Sequence, residues 1–261
     1  MSFIECRALR FAYGEETGEV LHGVDLDIKK GEFVALLGHN GCGKSTMAKL
    51  FNGMLVPTAG TVFVDGIDTA VEDTQLDVRR RVGLVQQNPD NQLVAGIVEE
   101  DVAFGPENLG IPPAEIRRRV DAALKAVNMY EYREHAPHKL SGGQKQRLTI
   151  ARALVKKPEI LILDDSASAL DFATDAALRR AIRGLGDKTT TFLVSQRIAG
   201  IRQADHILVL GNGRLAGQGT HDELMESCGV YREIYFSQFP EERAAYENRA
   251  AGQKGGDLNE K

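Results

Sequence analysis

The residues best suited to chemistry lie in a glycine-rich loop with the spacing G-x-x-x-x-G-K-[ST], placed between an apolar run and a helical pattern. Glycines let the backbone N–H groups of such a loop turn inward around a phosphate. Lys44 offers a positive charge to the β- and γ-phosphates, and the hydroxyl of Ser45 can ligate Mg²⁺. The whole loop is therefore predicted to bind a polyphosphate; it consists of Gly38, His39, Asn40, Gly41, Cys42, Gly43, Lys44, Ser45 and Thr46.

Within this loop the residues differ in what they can contribute. Thr46 is placed to meet a phosphate oxygen, whereas His39 and Cys42 are interpreted as loop residues rather than metal ligands or nucleophiles. A glycine-rich turn that arose by chance is the alternative. The order of strand, loop and helix disfavours it.

A carboxylate follows a second apolar run. Residues 159–164 have the sequence Glu-Ile-Leu-Ile-Leu-Asp, a buried strand that ends in Asp164. In phosphate-binding ATPases an acidic residue at this point helps to hold Mg²⁺. We therefore expect ATP and Mg²⁺ as cofactors, with Ser45 and Asp164 holding the metal ion.

The octapeptide from Leu140 to Arg147, Leu-Ser-Gly-Gly-Gln-Lys-Gln-Arg, indicates a partner. Ser141 followed by Gly142, Gly143 and Gln144 has the form of an N-cap, and the positive end of the following helix suits a polyphosphate. An ordinary capped helix is the alternative. The octapeptide resembles the signature motif of ABC transporter ATPases, whose subunits pair head to tail so that each signature faces the phosphate loop of its partner. This resemblance covers about residues 1–240 and implies a second nucleotide-binding subunit.

The resemblance also assigns catalytic roles, and the chain departs from the family pattern at two of them. The family carries a glutamate that polarises the attacking water where this chain has Asp165, and a switch histidine where it has Gln196. Aspartate is shorter by one methylene, and a displacement of roughly 1 Å can cost on the order of a hundredfold in rate. Glutamine can hydrogen-bond a γ-phosphate but cannot carry a positive charge. A site that binds MgATP well and hydrolyses it poorly is therefore expected, the alternative being a tolerated conservative change.

Three smaller elements complete the resemblance. Tyr13 stands where the family stacks an aromatic ring on adenine, with core packing as its alternative. Gln87 matches the glutamine that links Mg²⁺ and the attacking water to a helical lobe, and its spacing to the following Asn-Pro favours it over Gln86. Residues 168–171 match the loop that crosses the dimer interface, although Asp171 could simply be the N-cap of a helix predicted over 172–185.

Strands that alternate with helical patterns must position these residues, which predicts an α/β fold with a parallel sheet. The resemblance specifies it as a P-loop NTPase: a RecA-like parallel core with an antiparallel β-subdomain and an inserted helical subdomain at about 88–140. The domain is expected to span 1–240, and the polar extension 241–261 to be partly disordered after an exposed helix. The predicted strands are 3–7, 20–28, 33–37, 61–64, 82–86, 160–163, 190–194 and 206–210, and the predicted helices are 44–52, 99–108, 113–127 and 144–154.

Composition limits the class of protein. The chain has 261 residues and 43% hydrophobic content, enough for one large domain. A net charge of −5 without a basic stripe argues against nucleic-acid binding. The cysteines Cys6, Cys42 and Cys228 are too widely spaced for a zinc site and fit a reducing compartment. The apolar runs are far shorter than a membrane span, so any membrane association is expected to come through a partner.

The two halves of the chain resemble different lineages. Residues 1–150 are similar to the ATPases of energy-coupling factor importers, most specifically in 87–92 and 98–105. From about 141 to 240 the chain is similar to the degenerate ATPase of heterodimeric ABC exporters. Those exporters usually fuse the ATPase behind a membrane domain, and the lack of one favours the importer assignment.

The leading hypothesis is an ATPase subunit of an importer, peripheral on the cytoplasmic face of the membrane, whose site mainly clamps nucleotide. A second ABC ATPase subunit is expected as partner, preferably in a heterodimer, and a membrane subunit is expected to dock on residues 88–138. One alternative is the ATPase half of a multidrug-type exporter. Another is a soluble ABC ATPase that acts as a switch, for which neither a basic surface nor a tandem second domain is visible.

Overall fold

The computed structural model describes residues 2–14, 16, 18–165 and 189–247. Its first sheet is antiparallel and is built from the first third of the chain. The strands pair in the order β2-β1-β4-β5. Their bounds are β1 Ser2–Phe11, β2 Leu21–Lys29, β4 Ala59–Val64 and β5 Ile67–Asp68.

The second sheet has the order β10-β9-β3-β8-β7-β6 among the described residues. Neighbouring strands are parallel from β9 through β6, and β10 joins β9 in the antiparallel sense. The carboxyl ends of β3, β6, β7 and β8 therefore meet at one edge. The bounds are β3 Phe33–Leu37, β6 Val82–Val85, β7 Ile160–Asp164, β8 Thr190–Ser195, β9 His206–Gly211 and β10 Arg214–Gly219.

Both faces of this sheet are covered, which explains its continuous apolar strands. In β3, Val34 and Leu36 belong to one hydrophobic cluster, with the antiparallel sheet and the first helix. Ala35 and Leu37 belong to the other, with the later helices. Because successive side chains point to opposite faces, a strand between two cores must be apolar at every position.

Helices pack on the parallel sheet and form a layer of their own. The third, fourth and fifth contact one another beyond its edge. The chain is also helical over 240–247. The helices are α1 Lys44–Phe51, α2 Gln75–Arg81, α3 Val98–Asn108, α4 Pro113–Ala126, α5 Gly142–Leu154, α6 His221–Ser227 and α7 Gly229–Gln238.

The predicted α/β class, with a parallel core and an antiparallel β-subdomain, is confirmed. Each predicted strand is present, with ends that differ by a few residues. The predicted loop 168–171 and the helix 172–185 lie outside the described residues. No described helix combines the length and the apolar character that crossing a membrane requires.

Candidate active site

The phosphate loop joins the end of β3 to the start of α1, and its backbone requires glycine. Gly41 and Gly43 have φ angles of 78° and 103°, a region in which side chains are strained. A Cβ atom on Gly38 would lie 2.3 Å from the carbonyl oxygen of Leu210 in β9. The sheet therefore fixes where the loop begins, and the glycines allow its turn.

Lys44 lies inside the curve of the loop. Its ammonium group donates hydrogen bonds to the carbonyl oxygens of Gly38 and His39, each at 2.8 Å. The side chain is 8% exposed. These contacts hold the positive charge where a phosphate cradled by the loop would need it.

Ser45 and Asp164, two residues predicted to hold the metal ion, are hydrogen-bonded to each other. The hydroxyl of Ser45 donates to Oδ1 of Asp164 at 3.0 Å, and Asp164 is 3% exposed at the end of β7. Burial raises the pKa of Asp164, while the hydrogen bond from Ser45 acts in the opposite direction. A hydroxyl beside a carboxylate is a pair of hard oxygen donors of the kind that Mg²⁺ uses together with phosphate oxygens. The residues present fit the ion.

Two predicted catalytic side chains converge on a carboxylate oxygen of the third. The side-chain amides of Gln87 and Gln196 each approach Oδ2 of Asp165 at 3.4 Å. Gln87 follows β6, Asp165 follows β7 and Gln196 follows β8, so neighbouring strands bring them together. Both distances lie at the long end of the hydrogen-bonding range.

Asp165 has an unusual backbone conformation with φ at 45°. Its N–H donates to the carbonyl oxygen of Val194 at 3.1 Å, which ties it to β8. Aspartate tolerates this left-handed region better than most residues. The carboxylate at this position is therefore carried by a short side chain on a backbone in the left-handed conformation.

Gln92 holds the segment that carries Gln87, a role that the sequence had not revealed. Its side chain accepts from the backbone N–H of Gln86 at 2.9 Å and donates to the carbonyl oxygen of Leu84 at 3.0 Å. Asn88 caps the next turn by accepting from the N–H of Asp90 at 3.0 Å. Gln92 lies seven positions beyond the end of β6, and no motif spacing marks it in the sequence.

The signature forms a complete capping box at the start of α5. The hydroxyl of Ser141 accepts from the N–H of Gln144, and the Gln144 side chain accepts from the N–H of Ser141. The helix begins at Gly142, two residues before the predicted start. Ser141 and Gly142 are exposed, and Gly143 is partly exposed. The signature lies on the surface, available to another molecule.

The signature helix also contacts the segment after β6. Lys145 pairs with Asp90 at 2.7 Å, and the side chain of Gln146 donates to the carbonyl oxygen of Gln86 at 3.5 Å. The start of α5 is therefore linked to the residues around Gln87.

Tyr13 lies on the surface rather than in the core. It is 56% exposed, which excludes the packing alternative, and its hydroxyl lies 2.9 Å from Oγ1 of Thr46. Phe11 supports the ring edge-on, with centroids 4.9 Å apart. An exposed ring beside the phosphate loop suits a stacking role.

The remaining loop residues differ in their exposure. His39 and Asn40 are exposed, and Cys42 is buried. Burial raises the pKa of the Cys42 thiol, which disfavours the thiolate that a nucleophile needs.

A groove outside the nucleotide site lies between the parallel core and the helices α3 and α5. Phe104 and Val94 come from the segment expected to receive a membrane partner, whereas Met54 and Leu76 come from earlier parts of the chain. These four apolar side chains are 44 to 61% exposed.

The site and the fold together define a P-loop ATPase, and comparisons with known proteins specify the family. The family model described as "ABC transporter" matches residues 21–168. The chain therefore belongs to the ABC transporter family, as an ATP-binding and ATP-hydrolysing subunit.

Within this family, the chain is 46% identical over 256 residues to the energy-coupling factor transporter ATP-binding protein EcfA1 of Clostridium novyi. That alignment covers 96% of this chain and 91% of the relative. The chain is thus a protein of the energy-coupling factor ATPase type. The importer resemblance extends well beyond the first 150 residues.

Two solved structures are similar to the chain. CbiO1 from Clostridium perfringens, part of the ABC transporter complex CbiONQ, has a TM-score of 0.76 and 32% identity, over 94% of this chain and 99% of that one. A bacterial Atm1-family ABC exporter with ATP bound has a TM-score of 0.80 and 34% identity. That alignment covers 90% of this chain and 42% of the exporter chain.

Proposed function

We propose that this chain is the nucleotide-clamping ATPase subunit of an energy-coupling factor importer. Residues 1–240 would form its ATP-binding domain, with 88–140 inserted as the helical lobe. One observation carries the proposal: Lys44, the Ser45–Asp164 pair and Asp165 share one edge of the sheet with the two glutamines.

Each side chain has a distinct task in this proposal. Lys44 neutralises the β- and γ-phosphates, Ser45 ligates Mg²⁺, and Asp164 supports the ion with Gln87. Bound Mg²⁺ supplies charge neutralisation to the phosphates. Tyr13 supports the adenine, and Gln196 meets the γ-phosphate through its amide. Asp165 occupies the place of the residue that positions the attacking water, but its side chain is one methylene too short to do so efficiently.

ABC ATPases function as dimers together with membrane subunits. In this chain the exposed Ser141 to Gln144 would complete the site of a second ATPase subunit. A chain with a weak site of its own and an intact signature is best used in a heterodimer, where it supports hydrolysis in the partner. A homodimer would carry the weak carboxylate in both sites.

A membrane subunit would dock in the groove beside α3 and α5, holding the chain at the cytoplasmic face. Apolar side chains this exposed on adjoining elements are typical of an interaction surface. A helix laid into the groove would contact the helical lobe and the core together, so closure of the ATPase dimer would move it.

The docking test compares two equally exposed apolar positions. Phe104→Glu alters the groove, and Val71→Glu alters a side chain that is 46% exposed and does not line it. We expect Phe104→Glu to abolish capture of an importer-type membrane subunit in a pull-down, while Val71→Glu retains it. Capture by neither the wild type nor Val71→Glu would refute the importer assignment.

The similarity to the Atm1-family exporter supports a second candidate, the ATPase half of an exporter. This candidate requires the groove to bind the membrane domain of an exporter. The same pull-down with an exporter-type membrane domain as bait separates the two.

A further inference from the structure

Helix α7 contacts the loop that carries Gln196, which follows β8. Helix α7 ends at Gln238, and both ends of its side-chain amide are engaged. Nε2 donates to the carbonyl oxygen of Gln196 at 2.6 Å, and Oε1 accepts from the N–H of Ile198 at 2.9 Å. The side chain of Gln238 therefore satisfies one backbone group of each of two loop residues, the carbonyl of Gln196 and the N–H of Ile198.

These bonds act on the backbone of the residue whose side chain enters the site. Gln238 binds the backbone carbonyl of Gln196, and the side-chain amide of Gln196 extends in turn to Oδ2 of Asp165. Beyond it, Ile198 is fully buried and anchors the loop in the core. Because the carbonyl of Gln196 and the N–H of Ile198 are both bonded to Gln238, the backbone of the loop is held in place, and with it the direction in which the Gln196 side chain leaves the chain.

Gln238 is held firmly enough to do this. Ile234 and Tyr235, in the same turn of α7, are buried in the core. The N–H of Phe239 bonds to the carbonyl oxygen of Tyr235 and closes the helix end. The following helix, at residues 240–247, packs on α7 through Tyr246 and Phe236, whose ring centroids are 5.4 Å apart, and Tyr246 also donates to the carbonyl oxygen of Met225 in α6 at 2.7 Å.

We propose that Gln238 is a positioning residue, which orients Gln196 toward the γ-phosphate without touching the nucleotide. The inference rests on the proposed role of Gln196. It assigns the C-terminal helix pair a part in distinguishing ATP from ADP, because ADP has no group for Gln196 to meet.

The test measures the affinity of the full chain, with Mg²⁺, for a non-hydrolysable ATP analogue and for ADP. A hydrogen bond to a charged phosphate is worth about tenfold or more in affinity, so Gln196→Ala should lower the ratio of the two affinities about tenfold. Gln238→Ala should lower it about threefold in the same direction. The double variant should equal Gln196→Ala, since Gln238 acts through Gln196.

Further variants separate positioning from stability. Gln238→Glu keeps an acceptor for the N–H of Ile198 but cannot donate to Gln196, so it should also lower the ratio and serves if Gln238→Ala does not fold. Ser237→Ala removes a hydroxyl that donates within α7, to the carbonyl oxygen of Ile234 at 2.7 Å, and leaves both bonds of Gln238 in place, so its ratio should equal that of the wild type.

Each failure has a separate meaning. A wild type that binds neither nucleotide would refute the proposed function. A wild type that binds both, with a ratio unchanged in folded Gln238 variants, would overturn this inference alone. Additive losses in the double variant would do so as well. A ratio unchanged in Gln196→Ala would also refute the role of Gln196 in the proposed function.

Discussion

At the scale of single residues, the distance from Asp165 to its neighbours is the central quantity. Its Oδ2 atom lies 3.4 Å from both glutamine amides, about 0.5 Å beyond the commonest hydrogen-bond length. A glutamate would carry the carboxylate one methylene further toward them and toward the place of the attacking water.

We therefore expect Asp165→Glu combined with Gln196→His to raise ATP turnover by about tenfold to a hundredfold. The gain comes from a carboxylate within reach and an imidazole that can carry charge. Phosphate release under saturating MgATP measures it. A wild type that already turns over at about 1 s⁻¹ or faster would contradict the weakened site. Because glutamate tolerates φ near 45° less well, the variant should also lose about 1 kcal/mol of stability.

The residue types of the site could be predicted because each has a fixed place in a motif. Lys44, Ser45 and Asp164 lie where those motifs put them. Gln92 and Gln238 could not be found in this way. Their role depends on backbone groups that the fold brings near, and a lone polar residue on a helix or turn carries no spacing to detect.

At the scale of elements, the capping box of α5 allows function to be separated from stability. Ser141 and Gln144 form it in the signature, and Thr220 and Glu223 form the same arrangement at the start of α6. Each hydroxyl contributes about 1 kcal/mol to stability.

Ser141→Ala and Thr220→Ala should therefore lower the free energy of unfolding by similar amounts. Only Ser141→Ala should lower ATP turnover of the assembled dimer, by at least about tenfold, because in the proposed dimer it removes a group that would contact the nucleotide of the partner. MgATP binding to the isolated chain should be unchanged in both. Equal turnover in the two variants would show that the signature is only a helix cap.

Helices α6 and α7 enclose an imidazole that responds to pH. Nδ1 of His221 lies 2.7 Å from the hydroxyl of Tyr231, and its ring contacts the ring of Tyr235. Burial lowers the pKa of His221, and the charge of Arg202 acts in the same direction. Below its ordinary pKa the unfolded chain therefore binds more protons than the folded one, so stability falls as the pH drops through about 6.5.

We expect His221→Asn to weaken this loss of stability between about pH 7 and pH 5.5, as measured by denaturant unfolding. His138→Asn, on the exposed surface, controls for the removal of one histidine and should retain the wild-type dependence. An identical pH dependence in His221→Asn would contradict the assignment.

Apolar periodicity identified most of the elements, although α7 was missed despite burying Tyr231, Ile234 and Tyr235 at helical spacing. Two other missed elements have little periodicity. Strand β10 was missed because its residues alternate only between exposed and partly exposed. The signal for it was the turn Asn212-Gly213, with φ angles of 47° and 71°, which suits a tight hairpin. Helix α2 buries a single side chain, Val78, so no apolar stripe marks it.

At the scale of the whole molecule, nucleotide binding should stabilise the fold as a unit. At a hundred times its dissociation constant, MgATP adds about 2.7 kcal/mol to the free energy of unfolding. For a domain of this size, that corresponds to an increase in Tm of roughly 5 to 10 °C. Thermal unfolding of the full chain measures the shift, which should vanish in Lys44→Ala. A shift retained in that variant would place the nucleotide elsewhere.

The position of β3 has a consequence for how the protein is made. Its sheet neighbours are β8 and β9, at residues 190–211, so the strand before the phosphate loop has neither partner until those residues are synthesised. Contacts over such long sequence separations form slowly. A nascent chain released before residue 190 would hold a complete loop motif and still lack its flanking strands. We expect ribosome-bound intermediates of that length to depend on chaperones and to acquire nucleotide binding only after β9 has emerged.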